Sequence, residues 1–114
     1  VEAMIAALQL LADTPGKRRV AVLGTMKELG EQSVLLHRQV GEIVRKLEID
    51  QLLILADPDE AKAMAAGAGI VPSKLFTNHD ELSRYLKDVM CEGDRILFKA
   101  SRSVEMDKVV TQLL

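Results

Sequence analysis

The sequence has few aromatic rings and few of the side chains that bind metals or form disulfides. Its 114 residues include no Trp, one Tyr, two Phe, two His and one Cys. So few aromatic rings argue against a surface that stacks nucleic-acid bases. The single Cys91 cannot form an internal disulfide, which is typical of a reducing compartment. His37 and His79 lie far apart in the sequence, so the ligand spacing of a zinc site is absent.

The chain also lacks a strong charge of either sign and a long apolar run. Its 15 basic and 17 acidic side chains give a net charge of −2, which does not favour nucleic acid or an anionic membrane surface as a partner. No apolar run approaches the roughly 20 residues of a membrane span, and the amino terminus does not resemble a signal peptide. We therefore expect a cytoplasmic location, no nucleic-acid partner and no membrane insertion.

Motifs for nucleotide binding and for nucleophilic catalysis are missing too. A phosphate-binding loop needs two glycines around four residues and then Lys with Ser or Thr, and Gly24 and Gly30 have no such continuation. Gly67 and Gly69 follow a predicted helix rather than a strand, which excludes a dinucleotide fingerprint. Ser101 lacks the glycine-flanked turn of a hydrolase nucleophile. We assign no catalytic residue and no metal ligand to this chain.

What is present is the pattern of one globular domain over residues 1–114. Apolar residues make up 48% of the chain and charged residues 28%, the balance of a soluble protein of this size. Segments with helical spacing alternate with short apolar runs, which predict strands at residues 19–23, 52–56, 74–76 and 95–98. Uniformly apolar strands between helices predict a three-layer, Rossmann-like α/β fold, in which helices cover both faces of a mostly parallel sheet.

In such a fold, sites form at the carboxyl ends of the strands. Three loops lie there: residues 24–30, 56–59 and 99–103. The last loop carries Lys99, Ser101 and Arg102 just before a helix predicted from Ser103. The positive end of a helix and two cations suit a carboxylate or a phosphate. A hydroxyl-capped helix start with two solvated cations is an equally open alternative.

Two carboxylates and one histidine near the first loop also have more than one interpretation. Glu31 suits the positive end of the second helix. Glu28 lies within the loop, where contact with a ligand ammonium is a less favoured alternative to the same structural role. His37 lies beside the apolar face of the second helix, and a hydrogen-bonded structural histidine is favoured over a role in proton transfer.

Several blocks of the sequence resemble the MurF-type ligases of peptidoglycan precursor synthesis. Residues 24–30, with His37 and residues 40–42, resemble the family's block G-D-M-x-E-L-G … H-x-x-V-G-E. A second set resembles the block G-D … K-G-S-R … M-E: residues 93–94, residues 99–102 and Met106. Residues 4–8 resemble the family's M-x-A-A-L. The blocks follow the family's order and roughly its spacing over the whole chain.

The resemblance implies a three-domain enzyme that joins D-alanyl-D-alanine to UDP-N-acetylmuramoyl-tripeptide with ATP and Mg²⁺, through an acyl phosphate. This chain matches its C-terminal domain, a lid that helps to bind the incoming amino component. We therefore expect a fragment of a longer protein, which also begins without Met. We expect it to be inactive alone, to bind no cofactor by itself and to work with its own central ATP-binding domain.

The resemblance also supplies the candidate residues for substrate binding. They are Lys99, Ser101, Arg102, Glu28, Thr25 and His37. Arg102, with Lys99 and Ser101, would hold an anionic group of the substrate. Three positions depart from the family's pattern: Thr25 replaces Asp, Ala100 replaces Gly and Asp107 replaces Glu. The replacement of Asp by Thr25 removes a carboxylate. The replacement of Gly by Ala100 excludes a backbone conformation that only glycine adopts readily.

Two other functions stay open at this point. A sister Mur-type ligase that adds another amino acid would differ mainly in its third substrate. A phospho-receiver signalling module also alternates helices and strands, but it needs adjacent acids after its first strand and an Asp at the end of a central strand. Asp57 supplies the second requirement, and residues 24–26 supply no acid for the first.

Overall fold

The computed structural model describes residues 1–101 and 104–114. Helices and strands alternate along these residues in the predicted order: α1 (Glu2–Asp13), β1 (Arg18–Gly24), α2 (Ser33–Lys46), β2 (Gln51–Leu55), α3 (Pro58–Ala68), β3 (Ser73–Phe76), α4 (His79–Val89), β4 (Asp94–Lys99) and α5 (Met106–Leu113). A 3-10 turn at Gly30–Gln32 leads into α2. No helix of the described residues is long and apolar enough to cross a membrane.

The four strands form one parallel sheet in the order β3-β2-β1-β4. Strand β1 is central, with Val20 opposite Gln51 of β2 and opposite Ile96 of β4. The chain extends the sheet from β1 through β2 to β3 and then returns to add β4 on the other side of β1. The carboxyl ends of β1 and β4 therefore form a topological switch point, the place where open α/β sheets bind ligands.

Alternate side chains of the strands build two cores, one on each face of the sheet. One face packs Ala21, Leu23, Leu52 and Ile54 against α1, α2 and α3. The other face packs Val20, Val22, Leu53 and Leu55 against α4 and α5. This arrangement confirms the predicted three-layer α/β fold.

Helices α2 and α3 approach each other through two glycines. A Cβ added at Gly41 would overlap the carbonyl oxygen of Met64, and one at Gly67 would overlap the carbonyl oxygen of Arg38. The expectation that Gly67 helps to end α3 is wrong, because α3 runs through Gly67 to Ala68 and Gly69 then takes a φ of +59°. Gly67 instead allows backbone contact between two helices.

Two further helix ends differ from expectation. A glycine commonly follows the last residue of a helix, so the sequence predicts that α4 ends at Gly93. Instead α4 ends at Val89 with Met90 extended, and Gly93 lies in the turn before β4 with a φ of 95°. The last helix begins at Met106 rather than Ser103, which lies outside the described residues. Glu105 has a φ of 56°, in the left-handed region, so the described helix cannot extend back through it. Lys99 and Ser101 therefore precede α5 by more than a turn.

An ion pair fastens the amino ends of β1 and β4. Arg18 donates to both carboxylate oxygens of Asp94, at 3.2 and 2.7 Å, and to the carbonyl oxygen of Val89 at 2.9 Å. The Cys91 N–H donates to the same carboxylate at 2.8 Å. The hydrogen bond from Arg18, followed by that from Cys91, holds the pKa of the Asp94 carboxyl below its usual range against the opposing effect of burial.

We expect an Asp94→Asn variant to lose about 1–2 kcal/mol of unfolding free energy at pH 7, a modest value because Arg18 is one-third exposed. The lowered pKa means that the carboxylate stabilises the fold above the ordinary Asp pKa of about 3.9. That contribution disappears as the pH falls through the lower pKa of the folded state. Urea denaturation of wild type and variant from pH 7 downwards measures the difference, with the exposed Asp88→Asn of α4 as control. A difference independent of pH would contradict this origin.

Candidate functional site

The loops that follow β1 and β4 are hydrogen-bonded to each other at the switch point. The Ser101 N–H donates to the carbonyl oxygen of Thr25 at 3.2 Å. The Ser101 hydroxyl accepts a hydrogen bond from the Lys27 N–H at 2.7 Å. The Ser101 carbonyl oxygen accepts from the Val104 N–H at 3.0 Å. Ser101 therefore joins the two loops that carry most of the residues predicted to bind substrate.

Thr25 ties this junction to β2. Its side chain is buried, its N–H donates to the carbonyl oxygen of Leu55 at 3.2 Å, and its hydroxyl accepts from the Asp57 N–H at 3.3 Å. The Thr25 hydroxyl thus binds the backbone N–H of Asp57. An Asp at this position, as in the family's sequence block, would place a negative charge there. Thr25 lies at the site, and its contacts within the chain are structural.

His37 lies behind the loop and has no exposed surface. Its Nε2 accepts a hydrogen bond from the Met26 N–H at 3.0 Å, and its Nδ1 lies 2.7 Å from the carbonyl oxygen of Ser33. Both ring nitrogens are occupied by backbone partners. The structure therefore does not bring His37 to a surface where a substrate could touch it, in keeping with the structural interpretation of this histidine.

Lys99 lines a cleft on the α1 side of the sheet. This α1 cleft has a volume of about 230 Å³ and is lined by Val1, Ala3, Met4, Met26, Lys27, Leu29, Lys99, Ala100 and Ser101. Two of these residues, Lys27 and Lys99, are cations from the ends of β1 and β4. Two lysines beside a hydroxyl and amide groups favour an anionic ligand.

A second cleft opens over the carboxyl ends of β1, β2 and β3. This strand-end cleft has a volume of about 200 Å³ and is lined by Thr25, Lys27, Leu55, Ala56, Asp57, Thr77, His79 and Val104. Lys27 lines both clefts. In the strand-end cleft it shares the wall with one acidic side chain, Asp57, so this cleft presents both signs of charge.

Sequence reasoning missed four polar or charged residues of these clefts: Lys27, Asp57, Thr77 and His79. Asp57 was considered as part of the loop at residues 56–59 and for a phospho-receiver, and not as a residue that binds substrate. The signal that could have found three of them is position, because Lys27, Asp57 and Thr77 come within three residues of a strand's carboxyl end. His79 starts α4, and its Nε2 donates to the Val104 carbonyl oxygen at 2.6 Å.

Two predicted residues are not joined to this site by the described structure. Glu28 is exposed, has a φ of 61° and lines neither cleft. An interaction of Glu28 with a ligand ammonium would therefore need a ligand that extends past the loop. Arg102 lies outside the described residues.

Among the described residues, few groups are arranged to bind a metal ion or ATP. Over residues 1–101 and 104–114, no three His, Cys, Asp or Glu side chains are close enough to hold a metal ion. The sequence carries no phosphate-binding loop. The chemistry present is recognition of charged groups by lysines, hydroxyls and backbone amides. Asp59 and Glu60 lie beside Asp57 in one surface pocket, but within the part of the chain described these carboxylates are not grouped so that they could hold a metal ion, which does not support a phospho-receiver.

Comparison with known proteins agrees with this fold. Residues 1–102 match the family described as Mur ligase, glutamate ligase domain. The UDP-N-acetylmuramoyl-tripeptide–D-alanyl-D-alanine ligase of Synechocystis sp. is 49% identical over 114 residues, which are 100% of this chain and 25% of that protein.

Solved structures give the same relationship. A MurF ligase from Thermotoga maritima in complex with ADP has a TM-score of 0.78 and 30% identity, and the match covers 98% of this chain and 25% of that one. MurF from Acinetobacter baumannii has a TM-score of 0.87 and 28% identity, with the same coverage of 98% and 25%. The chain thus spans about a quarter of the length of the relatives it matches. It belongs to the Mur ligase family and matches the C-terminal domain of its members.

Proposed function

We propose that this chain is the C-terminal substrate-binding domain of a ligase that joins D-alanyl-D-alanine to UDP-N-acetylmuramoyl-tripeptide. The observation that carries the proposal is the 49% identity, over the full chain, to a ligase of that name. The geometry supports it, because the family's two sequence blocks end up hydrogen-bonded to each other through Ser101 at the switch point of the sheet. A site built from both blocks suits a substrate that both must contact.

The amino component is the substrate that fits these clefts. D-alanyl-D-alanine is a zwitterion, with an ammonium group at one end and a carboxylate at the other. Lys99 and Lys27, together with Arg102, would hold the carboxylate. Asp57, which lines the strand-end cleft together with Lys27, supplies a negative charge for the ammonium group. Holding both ends would place the amine for attack, and such positioning can supply several kcal/mol of a barrier.

ATP and Mg²⁺ would be bound by the rest of the enzyme. This chain has neither a phosphate-binding loop in its sequence nor, among its described residues, a cluster of metal-binding side chains. Its contribution is to bind and orient the amino component and to exclude water when it closes on its own central domain. We therefore expect the isolated chain to be inactive and the full-length enzyme to work in the cytoplasm.

The test is a substrate panel on the full-length protein that carries this chain. With UDP-N-acetylmuramoyl-tripeptide, ATP and Mg²⁺, we expect product from D-alanyl-D-alanine at a kcat/KM at least about 100-fold above that for any single amino acid, since a site built for two charged ends rejects a shorter substrate. Mass spectrometry of the product and phosphate release measure it. Preference for a single amino acid would indicate a sister ligase. No product from any amino component would contradict ligase function.

A further inference from the structure

The buried imidazole of His37 is held in one protonation state by its partners. Nε2 faces the Met26 N–H, which can only donate, at 3.0 Å. Nδ1 faces the Ser33 carbonyl oxygen, which can only accept, at 2.7 Å. The ring proton must therefore be on Nδ1, and the imidazole must be neutral for both hydrogen bonds to form.

A carboxylate from the neighbouring helix reinforces this arrangement. Glu60 of α3 places Oε2 3.6 Å from Nδ1 of His37. The Ser33 hydroxyl also donates to Glu60. A negative charge beside Nδ1 favours the tautomer that carries its proton there, as second-shell carboxylates do for metal-bound histidines. The starts of α2 and α3 thus converge on one ring.

The Nε2 side of the ring holds the loop that follows β1. The Met26 N–H donates to His37. The residue after Met26, Lys27, donates its N–H to the Ser101 hydroxyl, and the residue before it, Thr25, accepts from the Ser101 N–H through its carbonyl oxygen. Each of these three consecutive loop residues is therefore hydrogen-bonded either to the imidazole of His37 or to Ser101. This part of the loop follows the end of β1 and precedes the 3-10 turn, so beyond the Thr25 N–H, which donates to Leu55 of β2, backbone pairing between strands does not fix it.

We propose that His37 is a positioning residue, which in its neutral, Nδ1-protonated form holds the Met26 amide and thereby places Lys27 and Ser101 for binding of the amino component. It touches no substrate and acts through the loop. The activity readout below rests on the proposed ligase function, and the spectroscopic readout does not.

The first experiment measures the tautomer in the wild-type, full-length protein. After ¹⁵N labelling of histidine, the imidazole of His37 is expected to show a protonated Nδ1 and an unprotonated Nε2 at pH 7. The Met26 amide is expected to exchange slowly with solvent. A proton on Nε2, or on both nitrogens, would overturn the proposal whether or not the enzyme is a ligase.

The second experiment compares two amide replacements in the full-length protein. In His37→Gln, the side-chain oxygen reaches roughly the place of Nε2 and still accepts from Met26. In His37→Asn, the shorter side chain reaches only the place of Nδ1, so the Met26 N–H loses its partner. Loss of one buried hydrogen bond corresponds to about tenfold or more in binding.

We expect KM for D-alanyl-D-alanine to rise about tenfold in His37→Asn and to stay within about threefold of wild type in His37→Gln. KM for ATP should not change in either variant. Partial unfolding would lower the maximal rate and leave both KM values unchanged, so the two effects can be separated. Equal KM values for the dipeptide in the two variants would overturn the positioning role. A wild-type enzyme without ligase activity would instead refute the proposed function, and the Met26 exchange rates of the two variants would then decide this proposal.

Discussion

A Gly41→Ala variant is expected to lose about 2–3 kcal/mol of its free energy of unfolding, or to fail to fold. In an isolated helix the same change would stabilise the helix by about 1 kcal/mol. Here the added Cβ overlaps the carbonyl oxygen of Met64 on α3. A backbone atom between two packed helices cannot move aside as the end of a flexible side chain can, so the overlap outweighs the gain in helix propensity.

Gly30→Ala is the matched control for this prediction. Gly30 has a φ of +64°, and among the described residues a Cβ there meets nothing within 4 Å. Its replacement should lower the free energy of unfolding by about 1 kcal/mol, because alanine adopts the left-handed backbone conformation less readily than glycine. Urea denaturation of the 114-residue chain compares the two variants. A Gly41→Ala protein as stable as the wild type would show that α2 and α3 are not in backbone contact.

The second large effect is expected at Arg102. In the full-length protein, Arg102→Ala should lower kcat/KM for D-alanyl-D-alanine about 100-fold, the effect of losing a charge-assisted, bidentate contact with a carboxylate. The prediction rests on the match to the arginine of the family's K-G-S-R block and on its neighbour Ser101, which is hydrogen-bonded to the loop after β1. Steady-state kinetics with the dipeptide as the varied substrate measures it.

Arg95→Ala provides the control for Arg102→Ala. Arg95 is exposed and lies at the opposite, amino end of the sheet, in β4. Its removal takes away the same charge from the same domain, so the change in net charge is matched. Kinetics close to wild type for Arg95→Ala, with a large loss for Arg102→Ala, would place the effect at the switch point. Similar losses in both variants would exclude a specific contact.

The fold could be predicted from the sequence because its elements are marked locally. Apolar runs and helical spacing identified the strands and helices. The spacing of Asn78 and Glu81 is that of a capping box, and in the structure the Asn78 side chain accepts from the Glu81 N–H at 2.9 Å. Gly67 was misassigned because its role depends on a second helix. No local pattern reveals that α2 and α3 will come into backbone contact.

The site could be predicted only in part. The parallel-sheet rule and the family blocks pointed to the loops after β1 and β4, and the structure joins them through Ser101. Thr77 directly follows β3 and could have been found from that position. His79 was missed because its contact with the Val104 carbonyl oxygen depends on how α4 packs beside the segment before α5, which periodicity does not encode. The hydrogen bonds of His37 depend on the path of an irregular loop, which composition and spacing cannot supply.

The most direct measurement compares D-alanyl-D-alanine with D-alanyl-D-alaninamide, in which a neutral amide replaces the carboxylate. If the switch point recognises that carboxylate, wild-type enzyme should prefer the dipeptide by about 100-fold in kcat/KM, and Arg102→Ala should lose most of this preference. A wild-type enzyme that uses both compounds equally well, or an Arg102→Ala enzyme that keeps the full preference, would contradict an anionic group bound by these two loops.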